Sequence, residues 1–278
     1  MRIAVTGASG FCGGVVARLA ADSGADVVGL GRRAGPGRRH RYWDASSGHP
    51  DLSGVDAVIH LAAAVGDPAG GKRVEAAFHA VNVGGTQRLL AAAGGRPVVW
   101  VSSASVYRPG PYTSPVREDH PVERQRTAYG RTKSAGEKLA LAAGAVVLRP
   151  RAVYGAGDPH LLPRLRRIVR GGHAWLPGPD VPLSLTAVEN LGSACLAAIG
   201  WPAGAYNIAD ERVYRRDAAV EAVLGVPVRH VPVGLARAAS LVAGQRLTRY
   251  SIDQVTDGMV LDIGKARRAG WAPVRSLI

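Results

Sequence analysis

Tyr129 and Lys133 stand four residues apart in the segment Ala128-Tyr129-Gly130-Arg131-Thr132-Lys133. On a helix that interval puts both side chains on one face. An ammonium held beside a phenol favours the phenolate and lowers a pKa that begins near ~10. A tyrosine tuned in this way can give a proton to a carbonyl oxygen, or take one from an alcohol. Upstream, the apolar run 98–101 ends in Ser102-Ser103-Ala104-Ser105. A hydroxyl at that point can hold a substrate oxygen against the tyrosine. Ser102 fits a turn as well as it fits catalysis, so Ser103 completes the expected catalytic set of Ser103, Tyr129 and Lys133.

Residues this far apart meet only on a scaffold. Short, nearly continuous apolar runs at 3–5, 26–30, 57–61, 98–101 and 145–148 suit parallel strands buried on both faces. Helical stretches at 14–22, 74–93 and 128–143 alternate with them. The pattern predicts an α/β fold, a Rossmann-like doubly wound parallel sheet with a small C-terminal substrate-binding lobe. Residues 1–150 form the expected dinucleotide-binding domain. Residues 151–278 form mainly the substrate lobe, with some segments returning to the core. The stretch 107–121 carries four prolines and reads as an irregular loop, and further prolines break the chain after Pro150. Ligands of open α/β sheets bind at the carboxyl ends of the strands, which makes these segments the natural substrate cover.

The first apolar run leads into Thr6-Gly7-Ala8-Ser9-Gly10-Phe11-Cys12-Gly13, with glycines spaced GxxGxxG ahead of a helical stretch. Glycine permits the tight turn, the close approach of backbone to a pyrophosphate, and close helix–strand packing. A helix N-terminus then offers free N–H groups and a positive dipole end. Gly7, Ser9, Gly10, Phe11, Cys12 and Gly13 are the expected dinucleotide loop. An acid at the end of the second strand would bind a ribose 2′-hydroxyl and repel a 2′-phosphate. Here that strand ends Gly29-Leu30-Gly31-Arg32-Arg33, with no acid. Two guanidiniums suit a phosphate dianion, so Arg32 and Arg33 point to NADP(H), with NAD(H) as the alternative. Asp44 fits either an adenine contact or a cap for the turn at Ser46 and Ser47.

Composition narrows the class. The 278 residues are 47% hydrophobic and 20% charged, as in ordinary globular chains. Cys12 and Cys195 build no disulfide framework, and the eight histidines show no metal-ligand spacing, so no metal is expected. The net charge of +14 rests almost wholly on arginine, since only residues 72, 133, 138 and 265 are lysine. No recognition module or stacking motif accompanies the clusters at 38–41 and 164–170, so nucleic acid is not an expected partner. No apolar run nears the ~18 residues of a membrane span, and no leader is read before the first strand, so a cytoplasmic protein with a small-molecule substrate is expected.

Taken together, the chain resembles the extended short-chain dehydrogenase/reductases, the NAD-dependent epimerase/dehydratase family. The matching pieces run in order: TGASGFCG (6–13), DAVIHLAA (56–63), VNVGGT (81–86), VSSASVY (101–107), YGRTK (129–133), LRPRAVYGAGD (148–158), AYNIAD (205–210) and DIGKARRAGWAP (262–273). The resemblance implies that Leu61, Ala62 and Ala63 line the cofactor groove and that Asn82 orders the helix carrying Lys133. It also implies that Pro150 to Val153 pack beside the nicotinamide, that Tyr129 and Lys133 contact the cofactor, and that the protein is a homodimer joined through the helices of Asn82 and Tyr129. Members acting on sugar nucleotides usually carry an arginine where this chain has 181–190, which holds none. The segments 157–165 and 247–255 instead look like the branch acting on hydroxysteroid-like or β-keto acyl substrates. A ketone/alcohol oxidoreductase is therefore expected. A nucleotide-sugar epimerase or dehydratase with tightly bound NAD(P) is the alternative, and a cofactor-sensing regulator on the same fold a third.

The remaining chemically interesting residues each have a plainer role. Cys12 reads as packing rather than a redox switch, and His60 as a core histidine with a hydrogen bond. Trp175, Tyr206 and Tyr214 either wall a pocket or fill a core. Arg151 and His160 fall where a substrate carboxylate would meet them, with a surface ion pair as the rival role.

Overall fold

The computed structural model describes residues 1–35, 39–66, 71–159, 161–242 and 248–278. His160 and Arg38 therefore lie outside the described residues. At the centre are six parallel strands: β1 (Arg2–Thr6), β2 (Asp26–Gly31), β3 (Arg39–Tyr42), β4 (Ala57–His60), β5 (Val98–Val101) and β6 (Val146–Pro150). A seventh, Gly204–Ile208, extends the sheet beyond β6. The spatial order is Gly204–Ile208, β6, β5, β4, β1, β2, β3. Strand order reverses between β1 and β4, and such a switch point opens a crevice at the strands' carboxyl ends.

The strand sequences explain why the sheet is covered twice. Ile3, Val5, Val99, Val101, Val146 and Leu148 face one core cluster, shared with Val16, Leu191 and Cys195. The intervening Ala4, Val98, Trp100 and Val147 face a second, shared with Leu89, Ala93 and Ala140. Successive side chains of a strand point to opposite faces, so an uninterrupted apolar run demands helices on both sides. Helix α1 (Phe11–Asp22) and the helix Val188–Ala197 cover the first face. Helix α2 (Lys72–His79) leads into α3 (Thr86–Ala93), which with α4 (Ala128–Ala142) covers the other.

One expected element differs. The predicted single helix over 74–93 is interrupted by a π-helical segment, Ala80–Gly85, between α2 and α3. Asn82, in that segment, is buried and binds the 64–66 region and α4 at once. Its Oδ1 accepts from Ala64 N at 2.8 Å, and its Nδ2 donates to Ala64 O at 3.1 Å and Thr132 Oγ1 at 3.0 Å. Irregular turns of this kind re-aim side chains that a regular helix would waste.

Beyond β6 the chain both returns to the sheet and builds a peripheral layer. A three-stranded sheet forms from Val169–Arg170, His173–Pro177 and Val228–Val231. Helices Arg216–Leu224, Val233–Val242 and Arg249–Thr256 belong to the same half. No helix among the described residues is long and apolar enough to cross a membrane.

Candidate active site

The crevice at the switch point is built from two adjacent strand ends. After β1, Gly7 turns at φ +68, a conformation that favours glycine, and its N–H donates to Leu30 O at 2.9 Å. A Cβ on Gly7 would lie 3.0 Å from Ala62 N, and one on Gly13 would lie 2.2 Å from Gly7 O. The two glycines thus let α1 and the loop after β4 close on the turn. Gly10 precedes α1 without a capping side chain, and the first turn of the helix carries no acid. That leaves a positively polarised helix end at the crevice, the arrangement a pyrophosphate requires.

Thr6 ties the opposite wall in place, a role that the sequence reading missed. Its Oγ1 accepts from Leu61 N at 3.0 Å and Ala62 N at 2.9 Å, which uses both lone pairs. Its proton therefore goes to His60 Nδ1, 2.8 Å away. Burial lowers the His60 pKa to about 3, so the ring stays neutral and works as a core histidine. Leu61, Ala62 and Ala63 follow directly, half-buried and with short side chains after Leu61.

Other expected cofactor residues are distributed around this crevice. Arg32 and Arg33 are exposed just beyond β2. Asp44 uses Oδ1 to accept from Ser46 N and Ser46 Oγ, at 2.8 and 2.7 Å, capping the turn. Those bonds lower its pKa, with the Arg32 and Arg88 charges adding to the effect. Pro150 is buried at the end of β6, and Val153 pairs with Thr186. Phe11 reaches Gly155, where an added Cβ would lie 3.6 Å from its ring. Cys12 has its thiol pushed up to about 12 by burial and by Asp158, so it carries no thiolate for redox exchange.

Local packing delivers Tyr129 to Ser103. Thr127 caps α4, its side chain accepting from Gly130 N at 3.0 Å. Gly130 rests so close to the 3₁₀ turn Ala104–Val106 that a Cβ would meet Ser105 O at 2.9 Å. Ser103 caps that turn, accepting from Ser105 N at 3.2 Å and Ser105 Oγ at 3.0 Å. Start of helix and start of turn are thereby pressed together, and Ser103 lies near enough to the Tyr129 phenol to draw its pKa down. Ser102 is buried and donates instead to Glu137 Oε2.

The third residue behaves differently from the expectation. Lys133 Nζ donates to Val101 O at 2.6 Å and sits 3.6 Å from the centroid of the Trp100 ring. Burial lowers its pKa to about 7, with Glu137 opposing. Its charge does not act on Tyr129. The phenol is pushed up to about 12 by burial, and Ser103 draws it back. The predicted depression of Tyr129 is therefore corrected: four-residue spacing sets the helical face, but an aromatic ring and a strand carbonyl claim the ammonium.

Behind the pair lies a buried polar network that the sequence reading did not single out. Arg149, Glu137, Tyr107 and Asn207 connect β6, α4, the 103–107 turn and the strand Gly204–Ile208. Glu137 carried a signal, since it follows Lys133 by four residues on the same helical face. A further cavity is lined by Ser105, Tyr112, Thr127, Arg151, Tyr250 and Asp257 among others, and reaches the catalytic pair only through the chain neighbours Ala104 and Thr127. Tyr206 and Tyr214 are core residues, bonded to Pro202 O and Asp210, and Trp175 sits partly exposed on the peripheral sheet. Among the described residues, no group of three or more His, Cys, Asp and Glu could hold a metal ion.

Comparison with known proteins agrees with this crevice. The model of the NAD dependent epimerase/dehydratase family matches residues 3–209. The chain belongs to that family. A 2-alkyl-3-oxoalkanoate reductase from Stenotrophomonas maltophilia is 30% identical over 203 residues, 64% of this chain and 58% of the relative. A dTDP-4-dehydrorhamnose reductase from Streptomyces griseus is 32% identical over 226 residues, covering 73% and 68%. This family member thus spans about three fifths of the first of these relatives. Among solved structures, MoeE5 in complex with UDP-glucose and NAD superposes with a TM-score of 0.77 at 25% identity, over 100% of this chain and 95% of that one.

Proposed function

We propose that the protein is an NADP(H)-dependent ketone reductase, working reversibly as an alcohol dehydrogenase, with Ser103, Tyr129 and Lys133 as its catalytic set. The observation that carries the reading is the juxtaposition of Ser103 and Tyr129, brought together by the turn Ala104–Val106 and the start of α4 at the carboxyl end of the central sheet, beside the crevice of the glycine loop. Relatives named as ketone-reducing enzymes add support.

The bound nicotinamide supplies or accepts a hydride at the substrate carbon. The chain's own groups do the rest. Gly7, Ser9, Gly10, Phe11, Cys12 and Gly13 would hold the pyrophosphate at the N-terminus of α1, and Leu61, Ala62 and Ala63 would wall the adenosine half with Asp44. Arg32 and Arg33 would clamp a 2′-phosphate. Pro150 and Val153 would flank the nicotinamide, with Asn82 fixing the loop and α4 around it. Ser103 orients the carbonyl oxygen by donating a hydrogen bond. Tyr129, whose raised pKa keeps it protonated at neutral pH, gives its proton to that oxygen as negative charge develops. Lys133, near neutrality, is poised to swing from Val101 O toward the ribose and relay a proton back to the tyrosine. A homodimer joined through the face of α4 and the 72–93 helices, at work in the cytoplasm, completes the proposal.

The test is a titration of the purified protein with NADPH and with NADH, followed by a ketone screen monitored by NADPH consumption. Preferential NADPH binding with net consumption is the expected outcome. A nucleotide-sugar epimerase is the second reading, favoured by the likeness to MoeE5. It would give tight NAD binding, stabilisation by UDP- or dTDP-sugars in a melt, and no net consumption.

A further inference from the structure

Arg151 is a cation without an acid. It follows β6 at the carboxyl edge of the sheet and lines the cavity that Ala104, Ser105 and Thr127, chain neighbours of Ser103 and Tyr129, also wall. Its Nη1 donates to Ser184 O at 3.1 Å and its Nη2 reaches Gln254 O at 3.5 Å, both neutral backbone carbonyls. The aromatic hydroxyls of Tyr112 and Tyr250 face it. The acids on the same wall are engaged elsewhere. Asp253 is held between Arg126 and Arg237. Asp257, raised by burial, responds to Asp253, Arg126 and Arg237 rather than to Arg151. No described carboxylate pairs with Arg151, so the surface ion pair weighed for it from sequence is not formed.

Burial draws Arg151 down to about 10, which still leaves it charged at neutral pH. Arg151 is half-buried, and a cation partly withdrawn from water gains from an anionic partner. Guanidinium presents five N–H donors in a fork that matches a carboxylate, and here most of that fork is unspent.

We propose that Arg151 is the carboxylate subsite of the substrate pocket, so that the carbonyl held by Ser103 and Tyr129 belongs to an oxo acid rather than to a neutral ketone. The proposal rests on the ketone-reductase reading and names its substrate class. A carboxylate fits better than a phosphate for two reasons. Arg126 on the same wall is spent on Asp253, so the one guanidinium left without an acid balances one negative charge, and Asp257 disfavours a second. In the reduction, hydride adds to the carbonyl carbon and the Tyr129 proton to its oxygen, giving a hydroxy acid and oxidised cofactor. The carboxylate is untouched and serves to orient.

The test uses the full chain loaded with NADPH, from which a hydroxy compound cannot accept hydride, and two probes, 3-hydroxyoctanoate and its methyl ester, titrated calorimetrically. The acid is expected to bind at least tenfold tighter than the ester. Arg151→Gln should shrink that gap below threefold through loss of acid affinity, while NADPH binding is kept. Arg151→Lys, which retains charge but not the fork, should keep part of the gap and carries the comparison if the glutamine variant does not fold. Equal binding of acid and ester to the unaltered protein overturns the proposal, as does a gap that survives in Arg151→Gln. So does an Arg151-dependent affinity for UDP in place of the acid. Turnover is read separately: Arg151-dependent binding of the acid without its oxidation by NADP⁺ upholds the subsite and sinks the reductase reading.

Discussion

Glu137 on α4 and Arg149 on β6 form an ion pair closed off from water, with Arg149 Nη2 2.5 Å from Glu137 Oε1 and side chains only 2% and 4% exposed. Arg149 Nη1 also donates to Tyr107 Oη at 2.9 Å and to Glu118 O at 2.9 Å. Tyr107 in turn donates to Asn207 Oδ1 at 2.6 Å. The pair therefore fixes α4, eight residues past Tyr129, against two strands of the sheet. Removing one partner strands the other charge in a dry interior, which typically costs ~3–5 kcal/mol.

Glu137→Ala should accordingly lower unfolding free energy by about that much, measured by urea denaturation. The double variant Glu137→Ala/Arg149→Met should recover a large part of the loss, because no unpaired charge remains. Equal losses in the single and double variants would show that the pair stabilises by packing and not by neutralising charge.

Tyr129→Phe removes the proton donor while keeping the ring. Turnover should fall by roughly 10²–10⁴-fold, the usual worth of a positioned acid. NADPH affinity, read by fluorescence titration, should stay within a factor of about two. Unchanged turnover would remove Tyr129 from the mechanism.

Arg32→Ala/Arg33→Ala tests the cofactor preference. A charge-assisted hydrogen bond is worth ~1.5–3 kcal/mol, so the Kd for NADPH should rise by about ten- to a hundredfold. The Kd for NADH should barely move. A parallel loss for both cofactors would mean that the arginines support the loop and not a 2′-phosphate.

Stability of the cofactor-free protein should depend on pH through Lys133. Its folded pKa is lowered to about 7, while an unfolded lysine titrates near ~10.4. Between those values the unfolded chain binds the extra proton, so stability rises with pH, by at most ~1.4 kcal/mol per unit. Cys12 and Cys195 act oppositely above ~8.5, because burial raises both thiols. The clean window is thus about pH 7 to 8.5. Lys133→Met should flatten the curve there in urea melts at several pH values. The same slope in both proteins would place the ammonium in contact with water.

What the sequence displayed were features whose geometry is local. The glycine spacing of 7, 10 and 13 demands a tight turn wherever it sits between strand and helix, and the apolar runs at 3–5 and 98–101 demand cover on both faces. Tyr129 and Ser103 were legible for the same reason, each lying at the start of an element. Lys133 was half legible: its face of α4 follows from spacing, but the direction of its ammonium depends on Trp100 and Val101, which no helical period encodes. Glu137 and Arg149 were hidden more deeply. In a chain so rich in arginine, one buried guanidinium looks like any exposed one, and its burial is decided by strands that converge only in space. Arg151 was visible as a charge in the region where a substrate was expected, yet that no described carboxylate pairs with it became evident only once the cavity wall was assembled.

The π turn at Ala80–Gly85 has a bearing on how this chain tolerates insertion and deletion. Upstream of it α2 carries Glu75, half-buried and ion-paired with Arg131 at 2.7 Å; downstream α3 buries Leu89 and Ala93. The two halves answer to different neighbours. Deleting one residue from 80–85 would let the widened turn close into regular α-helix with α2 and α3 left nearly in phase, since the extra residue is taken up within the π segment itself. Leu89 would stay in the core, but the residues of the segment would be re-aimed and Asn82 would lose its grip on Thr132. Lineages of this protein should therefore hold the length of this segment constant even where its residues drift.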